Sequence, residues 1–329
     1  MTSGRVLVTT AWLRPGDAVD RYLREAGLEV SHSSFKDRAE TGERLADLVG
    51  PFDAIVAGTD PFDREVLAAA PRLRVIGRTG VGYDNIDVAA ATERGVAVCP
   101  TPGVNRQSVA EHTIGLLLSA ARTIPQNVAG VRAGAWDQVS GRELGGAVLG
   151  VVGLGAIGRL VATMAQGLGM SVVAYDPYFD HAFAEEHGIR EAGLDELLAE
   201  ADFVSLHLFL TPETHRLIDA AAIDGMKDGA FLVNAARGGV VDEDALADAL
   251  TSGKLAGAAL DTVEVEPLPA DSRLRGIDNL LITAHIGAAT VESRARSGKM
   301  AARSVVDGLQ GRIPPQTVNP ECAAARTAA

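Results

Sequence analysis

The chain has 329 residues, enough at roughly 150 residues per domain for two domains that each bury a core, and its 47% apolar and 22% charged content is that of a globular rather than a disordered protein. A net charge of −13 disfavours nucleic-acid and anionic membrane partners, because phosphate-rich surfaces repel it. Two cysteines, Cys99 and Cys322, exclude a disulfide framework, no apolar run reaches the roughly 18 residues of a membrane span, and the expectation is a soluble, cytoplasmic protein.

The first hundred residues alternate β-branched runs with helix-like stretches: a strand over 5–10, a helix over 18–26, a strand over 54–58, a helix over 64–70 and a strand over 74–78. That is the rhythm of parallel βαβ units. Thr101-Pro102-Gly103 then signals a turn, and residues 104–122 place Val109, Ile114, Leu117 and Leu118 at helical spacing, in a helix expected to bridge two units. A second series of strands follows over 147–152, 171–175, 203–208, 231–234, 256–260 and 280–283. A last helix is predicted over 290–309, stopped by Gly311 and Pro314-Pro315, and residues 323–329 read as a frayed end. The fold class expected is α/β, with two doubly wound parallel-sheet domains.

The run 147–152 leads directly into Gly153-Leu154-Gly155-Ala156-Ile157-Gly158 and a helix-like stretch, the context in which a glycine hexapeptide marks a dinucleotide site. Gly153 permits the tight turn, Gly155 lets a pyrophosphate approach the backbone, Gly158 lets helix and strand pack closely, and the amides of Ala156 and Ile157 face the anion. Asp176 ends the next strand, 18 residues beyond Gly158, where a carboxylate accepts from the adenosine ribose hydroxyls. It would repel a 2′-phosphate, so the cofactor expected is NAD rather than NADP.

Four ordered segments now resemble a known family, the D-2-hydroxyacid dehydrogenases, and within it the phosphoglycerate-dehydrogenase-like branch. They are Gly77-Arg78-Thr79-Gly80-Val81-Gly82-Tyr83-Asp84-Asn85-Ile86-Asp87, Asn234-Ala235-Ala236-Arg237-Gly238-Gly239-Val240-Val241-Asp242-Glu243, Ala259-Leu260-Asp261-Thr262-Val263-Glu264-Val265-Glu266-Pro267 and His285-Ile286-Gly287-Ala288-Ala289-Thr290, with the glycine fingerprint between the first and second. The resemblance implies a Rossmann NAD-binding domain, residues 102–287, inserted into a flavodoxin-like substrate domain, residues 1–101 and 288–329, and a homodimer.

By the same resemblance Arg237, Glu266 and His285 form the catalytic set, and chemistry gives each a reason. Oxidation of an alcohol needs a base for the hydroxyl proton as hydride leaves the adjacent carbon, a role for His285. A carboxylate on the other ring nitrogen fixes the tautomer and favours the imidazolium, a role for Glu266. A planar guanidinium suits a carboxylate and an oxygen on neighbouring carbons, a role for Arg237. The resemblance also places Leu208, Ala235, Ala236 and Asp261 around the nicotinamide half of the cofactor, with Asp261 accepting from the carboxamide. Arg78, Asn105 and the amides of Gly80, Val81 and Gly82 fall to a small 2-hydroxy or 2-oxo acid substrate. No pair of histidines has metal-ligand spacing with a carboxylate, so no metal is expected. His207, Cys99 and the Glu111-His112 pair read as structural.

Phosphoglycerate dehydrogenases carry an arginine where this chain has Ala57, while Arg78 remains and Arg106 follows Asn105 where the family often has a small residue. Phe209 stands where proline is common, at the rim of the adenosine pocket. The leading expectation is thus an NAD-dependent dehydrogenase or reductase of a small D-2-hydroxy acid. Its alternatives are 3-phosphoglycerate dehydrogenase or a phosphonate-substrate relative and, from another class, an NADH-sensing scaffold like the C-terminal-binding-protein corepressors.

Overall fold

The structure, a computed structural model, describes residues 4–328. Two compact units emerge, one formed by the chain up to Asn105 together with the segment from Thr290 onward, the other by Arg106–Ala289.

The first unit holds five parallel strands, β1 (Arg5–Val8), β2 (Glu29–His32), β3 (Ala54–Ala57), β4 (Val75–Arg78) and β5 (Ala97–Cys99), in the order β2-β1-β3-β4-β5 of a flavodoxin-like sheet. β3 is buried along its whole length because helices cover both faces of the sheet, which is why it reads as a continuous apolar run rather than an alternation. The helix Val291–Leu309, capped by the Thr290 hydroxyl on the Ser293 amide, returns to pack against β4, with Ala301 facing Gly77 and Gly308 facing Val75.

The second unit holds seven parallel strands: β6 (Val148–Val152), β7 (Ser171–Tyr175), β8 (Arg190–Glu191), β9 (Phe203–Leu206), β10 (Ala230–Asn234), β11 (Leu255–Leu260) and β12 (Leu280–Ile282). Their order, β12-β11-β10-β9-β6-β7-β8, is the Rossmann order extended by one edge strand. One apolar cluster includes Leu197, Leu232 and Leu246, and a second includes Leu117, Val161 and Phe203. No helix among the described residues is long and apolar enough to cross a membrane.

Three strands have no counterpart in the sequence reading, β2, β5 and β8. Each is an edge strand of two to four residues, and so short a run carries too little periodicity to register. The helix expected to bridge the units, Arg106–Ala121, lies wholly within the second. The tail also corrects the expectation of a frayed end: Cys322–Ala328 is helical, and Cys322 is fully buried among the residues of the first unit. Residue 329 lies outside the described residues.

Candidate active site

At the end of β6 the fingerprint glycines adopt the geometry their residue type permits. Gly153 has φ +99°, and a Cβ there would lie 2.8 Å from the His207 carbonyl carbon and 3.0 Å from Leu208 Cδ2. A Cβ on Gly158 would lie 2.0 Å from the Gly153 carbonyl oxygen. Gly155 is different, for nothing lies within 4 Å of its Cβ position. It is also the N-cap of the helix Ala156–Gly167, and no side chain caps that terminus. The amides of Ala156 and Ile157 therefore start an uncapped helix beside an open backbone, the cradle a pyrophosphate requires. Asp176 accepts from the Leu154 amide and the Tyr178 amide, each at 2.7 Å, and so ties the glycine loop to the end of β7. These residues fit NAD. Phe209, at the expected adenosine rim, is 71% exposed.

Two loops of the same unit carry the expected catalytic groups. After β10, the fully buried Asn234 donates from Nδ2 to the Arg237 carbonyl at 2.8 Å and accepts the Ala236 amide at 3.0 Å, which shapes the Ala235–Ala236–Arg237 turn. Arg237 is half-buried, and its Nη1 donates to the Ala236 carbonyl. After β11, the Val263 amide donates to Glu266 Oε1 at 3.3 Å and the Glu264 amide to Glu243 Oε1 at 2.6 Å. Burial pushes the Glu243 carboxyl up, opposed by that hydrogen bond. The two loops pack backbone to backbone at Gly238, where a Cβ would lie 1.9 Å from the Val263 carbonyl carbon. Arg237 and Glu266 thereby sit on one mechanical unit.

His285 Nδ1 lies 2.8 Å from Glu266 Oε2. The ring is partly exposed, and Nε2 bonds to no described residue. The backbone at His285 has φ +53°, a left-handed conformation that a residue with a Cβ adopts at a cost. Asp261 holds it there. The His285 amide donates to the Asp261 carbonyl at 2.9 Å, and the next two amides, Ile286 and Gly287, donate to the Asp261 carboxylate at 2.8 Å each. The Thr283 hydroxyl at 2.6 Å and His112 Nε2 at 3.1 Å complete the shell. Burial alone would raise this carboxyl, but the bonds from His112, Thr283 and the two amides outweigh it and hold it at about 2. Sequence reasoning set His112 aside as structural and did not single out Asn234 or Glu243. What could have found them is their place: a polar side chain on a mostly apolar helix, an amide at a strand's last residue, and an acid at a helix start.

In the first unit, Arg78 ends β4 and folds across the next loop, so that a Cβ on Gly80 would lie 2.4 Å from Arg78 Nη1. The amides of Gly80, Val81 and Gly82 donate to no described residue and are available to an anion. Asn105 is half-buried, Arg106 is exposed at the start of its helix, and Ala57 is fully buried at the end of β3.

The family model for the D-isomer specific 2-hydroxyacid dehydrogenase NAD-binding domain matches residues 114–287. Over 280 residues the chain is 48% identical to a D-3-phosphoglycerate dehydrogenase of Mycobacterium tuberculosis, a match covering 84% of this chain and 53% of that protein, so the chain spans about half the length of that curated relative. It is 40% identical over 322 residues to a glyoxylate reductase of Korarchaeum cryptofilum, covering 94% of this chain and 97% of the other. Among solved structures, the TT0316 protein of Thermus thermophilus superposes with a TM-score of 0.84 at 42% identity, covering 95% and 99% of the two chains. With the fingerprint, the Arg237 turn and the His285–Glu266 pair in one Rossmann unit, the chain belongs to the D-isomer specific 2-hydroxyacid dehydrogenase family.

Proposed function

We propose that the protein is an NAD-dependent oxidoreductase interconverting a small D-2-hydroxy acid and its 2-oxo acid. The observation that carries this reading is the 2.8 Å contact between His285 Nδ1 and Glu266 Oε2, with Nε2 bonded to no described residue. Bound NAD supplies the hydride acceptor, and NADH the donor. In oxidation His285 Nε2 takes the hydroxyl proton; in reduction it returns one to the carbonyl oxygen, with Glu266 stabilising the imidazolium throughout. Arg237 binds the carboxylate and the neighbouring oxygen, and Arg78, Asn105 and the amides of Gly80, Val81 and Gly82 make further substrate contacts. Gly153, Gly155, Ala156, Ile157 and Gly158 hold the pyrophosphate, Asp176 the ribose, and Leu208, Ala235, Ala236 and Asp261 border the nicotinamide.

The substrate domain in this reading is the discontinuous first unit and the cofactor domain the second. We further infer a cytoplasmic homodimer. Support for the dimer comes from the helix Ile124–Arg132, which has no buried residue and exposes Ile124, Val128 and Val131 on one face, followed by Trp136 at 84% exposure. Support for the compartment is that neither Cys99 nor Cys322 is in a disulfide. The missing arginine at Ala57 weighs against 3-phosphoglycerate itself as the substrate.

His285→Ala tests the reaction. Turnover of NADH with 2-oxo acids should fall by about a hundredfold to ten-thousandfold while NADH affinity stays within a few-fold. An equal loss of cofactor affinity would make His285 a structural residue, and tight NADH binding with no turnover of any 2-oxo acid by the unmodified protein would favour the corepressor-like scaffold.

A further inference from the structure

The glycine loop of the seven-stranded unit is gripped from two sides, and one of the groups that grips it is a cation. Leu154 follows the first fingerprint glycine. Its amide donates to Asp176 Oδ2 at 2.7 Å, and its carbonyl accepts Arg159 Nε at 3.0 Å. Arg159 is the fourth residue of the helix Ala156–Gly167, and the rest of its guanidinium is also engaged. Nη2 lies 2.8 Å from Asp180 Oδ2, and the group sits over the Phe183 ring, 4.9 Å from the centroid. Asp180 in turn caps the helix His181–His187 by accepting the Phe183 amide at 3.1 Å. That amide and the Arg159 charge hold the Asp180 carboxyl below the usual carboxylate range.

These contacts bear on the adenosine half of the cofactor. Because a single residue, Leu154, joins Arg159 to Asp176, Arg159 Nε lies within about 10 Å of the carboxylate assigned to the ribose. An arginine near the ribose is what accommodates a 2′-phosphate in Rossmann sites that take NADP. This chain has such an arginine, but its Nη edge is turned to a carboxylate. Asp180 therefore acts against a 2′-phosphate twice: it neutralises the cation, and it places a second negative charge four residues beyond Asp176 on the same loop. We propose that Asp180 is a second determinant of NAD over NADP, acting with Asp176 by keeping the Arg159 guanidinium from a 2′-phosphate. Arg159 and Asp180 are 37% and 36% exposed, so the ion pair is weak by itself, and removing the one negative charge is enough to free the Nη edge. The proposal rests on NAD lying along the fingerprint with its ribose at Asp176, and it is independent of which acid is reduced.

The test titrates the full-length protein with NADH and NADPH by nucleotide fluorescence, so the readout is a dissociation constant and needs no substrate. Wild type is compared with Asp176→Ser, Asp180→Asn and the double variant. Asparagine keeps an oxygen for the Phe183 amide, so the helix cap survives. Wild type should favour NADH. The double variant should bind NADPH at least about tenfold more tightly than Asp176→Ser does, the range of one charge-assisted hydrogen bond. Arg159→Gln in the double background should abolish that gain, and Arg159→Lys should keep part of it. If the proteins carrying Asp176→Ser bind neither nucleotide, Asp180→Asn alone decides, and it should improve NADPH affinity at least about threefold relative to NADH. No gain for NADPH when Asp180 is replaced, a gain that survives Arg159→Gln, or a wild-type protein that binds NADPH as tightly as NADH or binds neither overturns the proposal. A wild-type protein that discriminates between the nucleotides but turns over no 2-oxo acid would remove the oxidoreductase reading, and the variants would still decide this one.

Discussion

The two units stack parallel strands between helices in the same way, yet the carboxyl edges of their sheets are finished by different chemistry. In the seven-stranded unit the edge is organised by a buried charge: the Asp261 carboxylate takes the Ile286 and Gly287 amides, the Thr283 hydroxyl and His112, and the strained His285 backbone follows from that shell. In the five-stranded unit the strand ends are tied by neutral hydroxyls, with Thr9 accepting the Gly58 amide at 3.2 Å and Thr10 and Thr79 bonded to each other, and the buried charge there, Asp60, is paired with the Arg38 guanidinium rather than with the backbone of a turn. A buried carboxylate with several donors fixes one geometry and is costly to disturb, whereas neutral hydrogen bonds exchange more readily with water. The first kind of edge suits a reacting group whose position must not vary. The second lets the strand ends adjust.

The largest expected effect is at Asp261. Asp261→Ala strands two amides, a hydroxyl and an imidazole around a cavity, and should cost about 3 to 5 kcal/mol, read from the urea midpoint at an unchanged slope. The His285 turn should relax with it, so kcat should fall more than NADH affinity. If this substitution is no more costly than Thr79→Val at the hydroxyls of the five-stranded edge, the contrast between the two edges is wrong.

A pH series sharpens the same contrast. His207, beside Gly153 with Nε2 2.9 Å from Ser205 Oγ, is pushed by burial from its ordinary 6.5 down to about 4. It folds neutral, and the unfolded chain takes up a proton first as pH falls. Its contribution is therefore complete above about pH 6.5 and is lost between there and about pH 4, amounting to at most about 3 kcal/mol and less in so far as the ring keeps some exposed surface. Asp261, held at about 2 against an ordinary 3.8, loses its contribution only below about pH 4. Urea midpoints at successive pH values should show the decline starting in the histidine window, and His207→Gln should flatten it. A midpoint independent of pH from 6.5 to 4.5 would show that the ring is not desolvated.

The smallest effect is expected at Thr79. Thr79→Val removes its bonds to Thr10 and the Ala57 carbonyl, but the Ala57 oxygen keeps the Thr79 amide at 2.9 Å. About 1 kcal/mol of stability should be lost, with NADH affinity unchanged in a fluorescence titration. A loss as large as that of Asp261→Ala would mean that hydroxyls, too, lock their edge.

Much of the site was legible because its residues act through local backbone geometry. Gly153, Gly155 and Gly158 announce a turn, an open approach and a close contact through the absence of a side chain, and each such requirement is met within six residues of sequence. Glu243 and His112 were not legible in this way. Their partners lie in other segments, Asp261 being 149 residues from His112, and nothing in the local pattern of a helix reports what its polar residue will meet. The short edge strands β2, β5 and β8 escaped for a related reason, since their pairing with a neighbouring strand defines them more than their own composition does.

By itself the sequence determined the α/β class and the dinucleotide loop, because these depend on residue type and short spacing, while Arg237, Glu266 and His285 were singled out by the family resemblance of their segments. Only the tertiary structure decided that Asp261 serves as the clamp of the His285 turn and that the Arg237 and Glu266 loops touch at Gly238. Each of those is a contact across a long separation in the chain. Such contacts are set by how helices seat on sheets, and that packing depends on the whole core rather than on any one segment.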